Sequence, residues 1–355
     1  MKKVISILLV VALTMSANTA KADFTFGTPV NLGQPVNSVS DDWGPCLSAD
    51  GLELYFESNR VGRSGGYDLW VATRATTEDE WAAPVNLGSM VNSSSDESMP
   101  SISSDGMELY FQSDRPGGSG NSDLWVSKLE QIEQRQGIEF AWGTPVNLGP
   151  IVNSSSLEAG PRISPDGLTL YFNSNRPGST GEWDLWVTTR ETINDDWSEP
   201  VSLMPAAYSC LSTDGLVIFF QDGNLDISMA RRSTITEPFG PGVKLPSQIN
   251  TSHVEGAPYL SSDGSTLYFS STNSGGYGQN DTWQVSIEPI VDLNSDGIVD
   301  SLDMCIMVDN WGTDEPLCDI GPMPWGDGVV DVQDLIILAE HLFEGLGETV
   351  IERRI

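Results

Sequence analysis

Four acidic side chains stand at matching places in the sequence and have the chemistry of an acid and base pair. Each lies three residues before a repeated proline, and two of them end a segment Asn-Ser-Ser-Ser-x-Glu, at 92–97 and 153–158. One carboxylic acid and one carboxylate on opposite faces of a sugar can cleave a glycosidic bond. Such a pair needs two different environments, whereas the repetition favours a shared structural role. Both interpretations stay open for these residues, which are Asp42, Glu97, Glu158 and Glu255.

A segment near the end of the sequence carries oxygen ligands at the spacing of a calcium loop. Residues 292–303 place side-chain oxygens at loop positions 1, 3, 5, 9 and 12, with Gly297 at the sharp turn of position 6. This is the EF-hand pattern with aspartate last. Calcium should also drive the folding of this segment, because the carboxylates repel one another without the ion. The expected ligands, including one backbone carbonyl, are Asp292, Asn294, Asp296, Ile298, Asp300 and Asp303.

A half-copy of this loop follows about thirty residues later. Its positions 1 and 3 fall on Met323 and Trp325, which offer no side-chain oxygen. Asp319 could substitute through a lengthened loop, so the sequence leaves the second ion open. The expected ligands of the half-copy are Asp327, Val329, Asp331 and Asp334.

Other catalytic patterns do not hold. Residues 62–66 match Gly-x-Ser-x-Gly, but they lie in a hairpin turn and a nucleophile elbow needs a strand, a turn and a helix. The histidines, His253 and His341, lie in separate segments, so a Ser-His or Cys-His pair within the propeller would depend on His253 alone, and both histidines are predicted to be surface residues. Cys46 and Cys210 occupy matching positions in different repeats, and we predict that they are buried free thiols.

The charge and the first residues indicate where the protein acts. The 355 residues include 17 Lys and Arg against 50 Asp and Glu, a net charge of −33 that argues against nucleic acid and anionic lipid partners. Residues 1–22 have the two lysines, the apolar run and the Ala-Lys-Ala end of a secretory signal peptide. No later segment reaches the roughly 20 apolar residues of a membrane helix. The sequence predicts a secreted protein, extracellular or on the cell surface, with no membrane span.

A repeat organises most of the chain. The turn Ser-x-Asp-Gly occurs five times, and each copy precedes an alternating strand, a Gly-rich turn, a third strand and a strand of the Pro-Val-Asn-Leu type. The first of those fourth strands, at 29–32, precedes any complete unit, whereas the last unit lacks one. Five units closed by the first strand of the chain predict a five-bladed β-propeller. The turns are 48–51, 103–106, 164–167, 212–215 and 261–264.

The segment 164–178, together with Asp184-Leu185-Trp186, resembles the WD-like repeats of TolB-like propellers. The resemblance implies the fold but not the function, because propellers include both binding proteins and enzymes. Five-bladed glycosidases similar to arabinanases place acids where inner strands begin, which implies that the four acids surround an axial opening. The repeated Asp of Asp-Leu-Trp and the repeated Arg of Ser-Asn-Arg or Ser-Asp-Arg are predicted to be structural. These arginines are Arg60, Arg115 and Arg176.

The fourth unit differs from the others in two connections. The segment before its inner strand and the segment after its second strand are both shortened, and in a propeller blade both emerge at one face. This pattern predicts either a notch that offers a concave ligand site or a blade that has lost its loops without consequence. Aromatic residues in or beside the loops of that face could stack on sugar rings. They are Trp43, Tyr67, Trp183 and Tyr277.

Two loop-helix units after residue 289 resemble a type I dockerin, the calcium-folded module that binds cohesin domains of polysaccharide-degrading assemblies. The sequence after each loop predicts a helix, at about 302–311 and 332–343, and the resemblance implies a cohesin partner. Cys305 and Cys318 are close enough in sequence to form a disulfide, which is left open. The residues that would contact a cohesin are Ser301, Leu302, Val332 and Gln333.

The sequence therefore predicts a mainly β protein. Its predicted parts are a signal peptide (1–22), a five-bladed TolB-like propeller (23–288), a small α-helical, EF-hand-like dockerin domain (289–345) and a tail (346–355). The predicted function is a secreted module that binds a carbohydrate or protein ligand and is attached through calcium and the dockerin to a cohesin partner, in a setting of polysaccharide breakdown. A glycoside hydrolase that uses the four acids is the alternative, and a purely structural scaffold is a third class.

Overall fold

The structure is a computed structural model that describes residues 24–134, 137–313, 315, 317–321 and 329–343. The predicted signal peptide and C-terminal tail lie outside these residues. The chain divides into two compact units, one of Phe26–Glu288 and a second that contains the described residues from Pro289 onward. No helix in the described part of the chain is long and apolar enough to cross a membrane.

The elements are mostly short strands. In chain order the strands are β1 (Phe24–Phe26), β2 (Val30–Asn31), β3 (Asp42–Leu47), β4 (Glu53–Ser58), β5 (Asp68–Thr73), β6 (Val85–Asn86), β7 (Glu97–Ile102), β8 (Glu108–Ser113), β9 (Asp123–Gln134), β10 (Gly137–Trp142), β11 (Val146–Asn147), β12 (Glu158–Ile163), β13 (Thr169–Ser174), β14 (Asp184–Thr189), β15 (Val201–Pro205), β16 (Ala207–Leu211), β17 (Val217–Gln221), β18 (Ile227–Arg231), β19 (Val243–Lys244), β20 (Glu255–Leu260), β21 (Thr266–Ser271) and β22 (Asp281–Pro289). The described helices are α1 (Gly149–Val152), α2 (Ser301–Asp309) and α3 (Val332–Glu340).

The strands form five antiparallel sheets, which confirms the predicted five-bladed propeller. The innermost strands β3, β7, β12, β16 and β20 each contact the next, and β20 contacts β3, so the ring is closed. Apolar residues of the second and third strands fill the space between blades. Leu54, Phe56 and Trp70 of blade 1 pack with Tyr268 of blade 5, for example. Burying a side chain of this size contributes about 2–3 kcal/mol.

The first strand of the propeller completes its last blade, as predicted. Val30 lies opposite Gln284 and Asn31 opposite Trp283 in an antiparallel pair between β2 and β22. Asn37 adds two side-chain bonds to the backbone of Thr282, at 2.8 and 2.9 Å. Every blade of the ring therefore has a paired fourth strand, and the ring arrangement protects the sheet edges.

Blade 4 has the two short connections that the spacing predicted. Its second and third strands are joined by 222–226, where blade 1 uses 59–67, and Ala206 alone separates β15 from β16. We call the face at which these connections emerge, and at which the inner strands begin, the upper face. The lower face is the opposite one, where the inner strands end at the Ser-x-Asp-Gly turns. An extension of blade 2, the hairpin of β9 and β10, had no counterpart in the sequence prediction.

The C-terminal unit has its own core around its two helices. Val299, Met307, Val330 and Leu338 are buried there together with Cys318. Helices α2 and α3 begin within one residue of the predicted starts. Cys305 is exposed and both thiols are free, as are the buried thiols of Cys46 and Cys210 in the propeller.

Candidate functional site

The four acids that the sequence singled out are buried side chains at the upper ends of the inner strands. Each is fully inaccessible, and each is the first residue of its strand. Glu158 illustrates the contacts. Its Oε2 accepts from the Ser154 N–H at 2.9 Å, and its Oε1 accepts from the hydroxyls of Ser154 and Ser174 at 2.6 and 2.9 Å and from Arg176 Nη2 at 3.0 Å. Asp42, Glu97 and Glu255 have the matching serine or threonine partners.

Three of the four acids also form an ion pair with a repeated arginine. Arg60, Arg115 and Arg176 pair with Asp42, Glu97 and Glu158 of their own blades. Each guanidinium also lies over two aromatic rings, such as Phe172 and Trp186 for Arg176, at 5.0 and 5.1 Å from the ring centroids. Both carboxylate oxygens of each acid are thus already bonded, so these acids have the structural contacts that their repetition favours and no free oxygen for a substrate. The arginines are structural, as predicted.

A different set of residues lies at the axial opening of the upper face. Each inner strand has a bulge there, and the matching residue adopts a positive φ: Gly44, Met99, Gly160, Tyr208 and Ala257. Three of these are not glycine, and side chains in this conformation persist only where the surroundings enforce it. Strain of this kind is common at binding and active sites.

Side chains from non-adjacent blades meet at this level of the axis. The rings of Trp43 in blade 1 and Tyr208 in blade 4 are in edge contact, with centroids 6.5 Å apart and planes at 79°. A Cβ placed on Gly160 would lie 3.6 Å from the Tyr208 ring and 3.9 Å from Met99 Cε. Both aromatic residues are partly exposed. Two aromatic rings of different blades therefore meet at the upper end of the axis, whereas the repeated acids are fully buried.

A ring of polar side chains from the second strands surrounds this aromatic pair. Its members are Glu57, Gln112, Asn173, Gln221 and Ser270. Glu57 Oε2 accepts from the Met99 N–H at 2.7 Å, and Gln112 Oε1 accepts from the Gly160 N–H at 2.9 Å. Asn173 Oδ1 is buried and has no hydrogen-bond partner. The ring fixes the bulges and leaves one acceptor unused close to the axis.

Glu57 is the one acid among these five, and its proton affinity differs from that of an ordinary glutamate. Burial raises the pKa of Glu57 to about 7, although the Met99 N–H and Ser98 lower it. The side chain is only 8% exposed and has no arginine partner in the ion pairs of the described residues. A carboxyl group that titrates near neutral pH can act as a general acid or base.

We expect this raised pKa to make stability fall with pH. The folded protein keeps a proton on Glu57 that the unfolded chain releases above pH 4.5, so stability is lost as the pH rises from about 4.5 to about 7. The loss attributable to Glu57 is about 3 kcal/mol. Urea unfolding at pH 5 and pH 8 should show that Glu57→Gln gains stability relative to the wild type at the higher pH. A difference between the two proteins that does not change with pH would contradict this assignment.

The predicted calcium loop of the C-terminal unit is held by its own side chains. Asp292 Oδ2 accepts from the Gly297 N–H at 2.8 Å, and Gly297 has a φ of 85°, as the sharp turn requires. Asp303 is fully buried and joins both ends of the loop, through the N–H groups of Asn294 at 3.1 Å and Asp300 at 2.8 Å. The carboxylate of Asp300 caps α2. These bonds hold the backbone of the loop in its turn and join it to the start of α2.

The second loop repeats this arrangement with a longer chain. Asp331 and Asp334 form the same capping box as Asp300 and Asp303, with nearly identical backbone angles. Asp334 Oδ1 accepts from the Gly321 N–H at 2.7 Å, as Asp303 accepts from Asn294. Gly321 follows Asp319 by two residues, as Asn294 follows Asp292. The matching contact supports Asp319 in position 1 of a lengthened loop, whereas Asp327 lies outside the described residues.

The donor chemistry of both loops suits calcium, because the groups are oxygens of carboxylates, an amide and the backbone. As they stand, the described His, Cys, Asp and Glu side chains form no group of three that could hold a metal. The carboxylates of the first loop are bonded instead to N–H groups of the loop. The four residues predicted to contact a cohesin are all exposed at the first turns of α2 and α3.

The axial site was only partly found from the sequence. Trp43 was among the candidate aromatics, whereas Tyr208 and Glu57 were not. Tyr67 and Trp183 lie in connections between second and third strands, as does Tyr277, which is 50% exposed. A comparison of the five repeats position by position would have singled out Glu57, because the other four residues of its ring carry no charge.

No family model and no curated protein sequence matches this chain. Among solved structures, it is similar to TolB from Acinetobacter baumannii, with 14% identity and a TM-score of 0.41 over 70% of this chain and 55% of that chain. It is also similar to the α-L-arabinofuranosidase PaAbf62A from Podospora anserina (12%, TM-score 0.47, 75% of this chain and 97% of that chain) and to Zg3597, a family 117 glycoside hydrolase from Zobellia galactanivorans (12%, TM-score 0.49, 75% and 90%). The likeness concerns the fold.

Proposed function

We propose that this chain is a secreted carbohydrate-binding propeller that is attached to a cohesin-bearing partner by a calcium-dependent dockerin module. The observation that carries the binding role is the pair of Trp43 and Tyr208 across the axis of the upper face. Aromatic faces stack on the apolar faces of sugar rings, and nearby amides can bond to their hydroxyl groups. The strongly negative chain disfavours polyanionic ligands, so the proposed ligand is a neutral polysaccharide.

The dockerin assignment rests on the two matched loop-helix units. Their paired capping boxes and oxygen donors support two calcium ions, with Asp292 and Asp319 opening the two loops. Leu302 and Val332 are 56% and 55% exposed at the start of the two helices. Apolar side chains in such positions favour a protein partner. The calcium-bound module would fix these residues for a cohesin.

We expect Trp43→Ala to weaken polysaccharide binding about tenfold, because it removes one of two stacking faces. The assay is affinity electrophoresis of the full chain in calcium against a panel of neutral soluble polysaccharides. Trp43→Phe, which keeps an aromatic ring, should lose less. Tyr277→Ala removes an exposed aromatic residue of the same face and serves as the matched control. Equal retardation of wild type and Trp43→Ala in every polysaccharide would contradict the proposed site.

A glycoside hydrolase is the second candidate, and Glu57 is the observation in its favour. Its raised pKa suits a general acid, and Asp41 and Asp96 both act on it electrostatically. Release of reducing ends should be measured on the same panel. Release that is abolished by Glu57→Gln would replace the binding role with catalysis, whereas binding without release supports the binding role.

A further inference from the structure

The propeller has a cavity on its lower face, opposite the proposed carbohydrate site. Its volume is about 590 Å³, within the range of small-molecule sites. Every inner strand contributes its last residue to the wall, so the cavity lies on the ring axis. These residues are Leu47, Ile102, Ile163, Leu211 and Leu260.

A buried arginine lines this cavity without a counter-charge. Arg162 is 6% exposed, and its Nη1 donates to the carbonyl oxygens of Pro100 at 2.8 Å and Pro161 at 3.4 Å. Its Nε and Nη2 are buried and have no hydrogen-bond partner. No described carboxylate forms an ion pair with it, in contrast to Arg176, which has Glu158.

The side chains at the matching position of the other blades are all neutral. They are Cys46, Ser101, Cys210 and Tyr259. The Tyr259 ring lies under the guanidinium, with its centroid 5.5 Å from Arg162 Cζ. Burial raises the pKa of both cysteine thiols, and it raises that of Cys210 to about 11. The positive charge of Arg162 acts in the opposite direction on both thiols but is the smaller effect. The thiols therefore stay protonated and do not neutralise the arginine.

An unpaired buried charge and unused buried donors both cost stability. The N–H of Nε and one N–H of Nη2 lie on one edge of the guanidinium and point in parallel. That edge matches the two oxygens of a carboxylate, which can accept both bonds at once.

We propose that the lower cavity is a binding site for a small monocarboxylate, whose carboxylate group pairs with the Arg162 guanidinium once this side chain turns Nε and Nη2 toward the cavity. The apolar ends of the inner strands would contact the body of the ligand. Asp166 and Asp214 also line the cavity, and Arg232 offsets only one of them, so the remaining negative charge favours a monocarboxylate over phosphate. This site is separate from the carbohydrate site and does not depend on it.

The test is isothermal titration of the full chain in calcium with D-glucuronate and benzoate. The neutral controls are D-glucose and benzyl alcohol, and inorganic phosphate is the control for other anions. We expect at least one monocarboxylate to bind, and Arg162→Met to weaken its binding about a hundredfold. Arg162→Lys should also bind weakly, because it keeps the charge but loses the paired donors. Arg74→Met removes a charge from the lower face outside the cavity and should bind like the wild type.

The unfolding temperatures of the variants distinguish ligand binding by Arg162 from a purely structural role of this residue. Without ligand, Arg162→Met should unfold at the same temperature as the wild type or higher, because it removes an unpaired buried charge. Monocarboxylates should raise the unfolding temperature of the wild type and of Arg74→Met but not of Arg162→Met. The proposal is overturned if neither monocarboxylate binds the wild type, if phosphate binds more tightly than both, or if Arg162→Met binds equally well.

Discussion

Chelation of calcium is expected to abolish the helical circular-dichroism signal of the C-terminal unit while the β signal of the propeller persists. The buried Asp303 and its neighbours Asp292, Asp296 and Asp300 concentrate negative charge in one loop, and a bound cation would offset the repulsion between them. The small core around Met307 and Leu338 offers little stability on its own. Metal binding and folding should therefore be one transition.

The measurement is the ellipticity at 222 nm during titration with a chelator, followed by return of calcium. Asp292→Ala should abolish the calcium response of the first loop, and Asp319→Ala should abolish that of the second. Asp309→Ala removes an exposed acid of α2 outside both loops and should behave like the wild type. A helical signal that is unchanged in excess chelator would refute the calcium assignment.

Replacing Glu158 with alanine is expected to lower the free energy of unfolding by about 3–5 kcal/mol. The substitution leaves Arg176 buried without its partner and removes the acceptor of three further hydrogen bonds. Thermal and urea unfolding would measure the loss. Loss of any activity in this variant would then reflect unfolding, so Glu57→Gln is the sharper test of catalysis.

Glu255 provides a matched control within the same chain. It accepts the same kinds of bonds, from Thr251 and Ser271, but Asn273 stands where blades 1 to 3 have an arginine. Glu255→Ala should therefore cost clearly less than Glu158→Ala, because no cation is left unpaired. Equal losses for the two variants would mean that the ion pair contributes nothing to the stability of its blade.

The propeller itself was predictable because its repeat fixes local structure blade by blade. Asp68, Asp123 and Asp184 all accept from the N–H groups of the turn that precedes them, so the same residue recurs for the same reason. The closure of the ring was predictable from the number of strands. A strand of the fourth type precedes the first repeat, and the last repeat lacks one. The repetition of the four acids likewise favoured a structural role.

The sites were less predictable because they join residues of non-adjacent blades. Alternation along a strand shows which side chains face the axis, but it does not show which of them meet across it. Trp43 and Tyr208 are 165 positions apart (208 minus 43) and belong to blades 1 and 4. The sequence does show that Glu57 and Arg162 differ from their counterparts, because each is the charged member of an otherwise neutral set of matching residues.

The pairing of β2 with β22 also governs how the chain can fold. The last blade takes one strand from the first residues of the propeller, so its sheet stays incomplete until both ends of a long chain are present together. Contacts of such sequence separation form late, and until then the edge of β22 is an unpaired template for other strands. The internal strand β2 and any external strand therefore compete for the same edge of β22, and the ring closes correctly only when β2 pairs first.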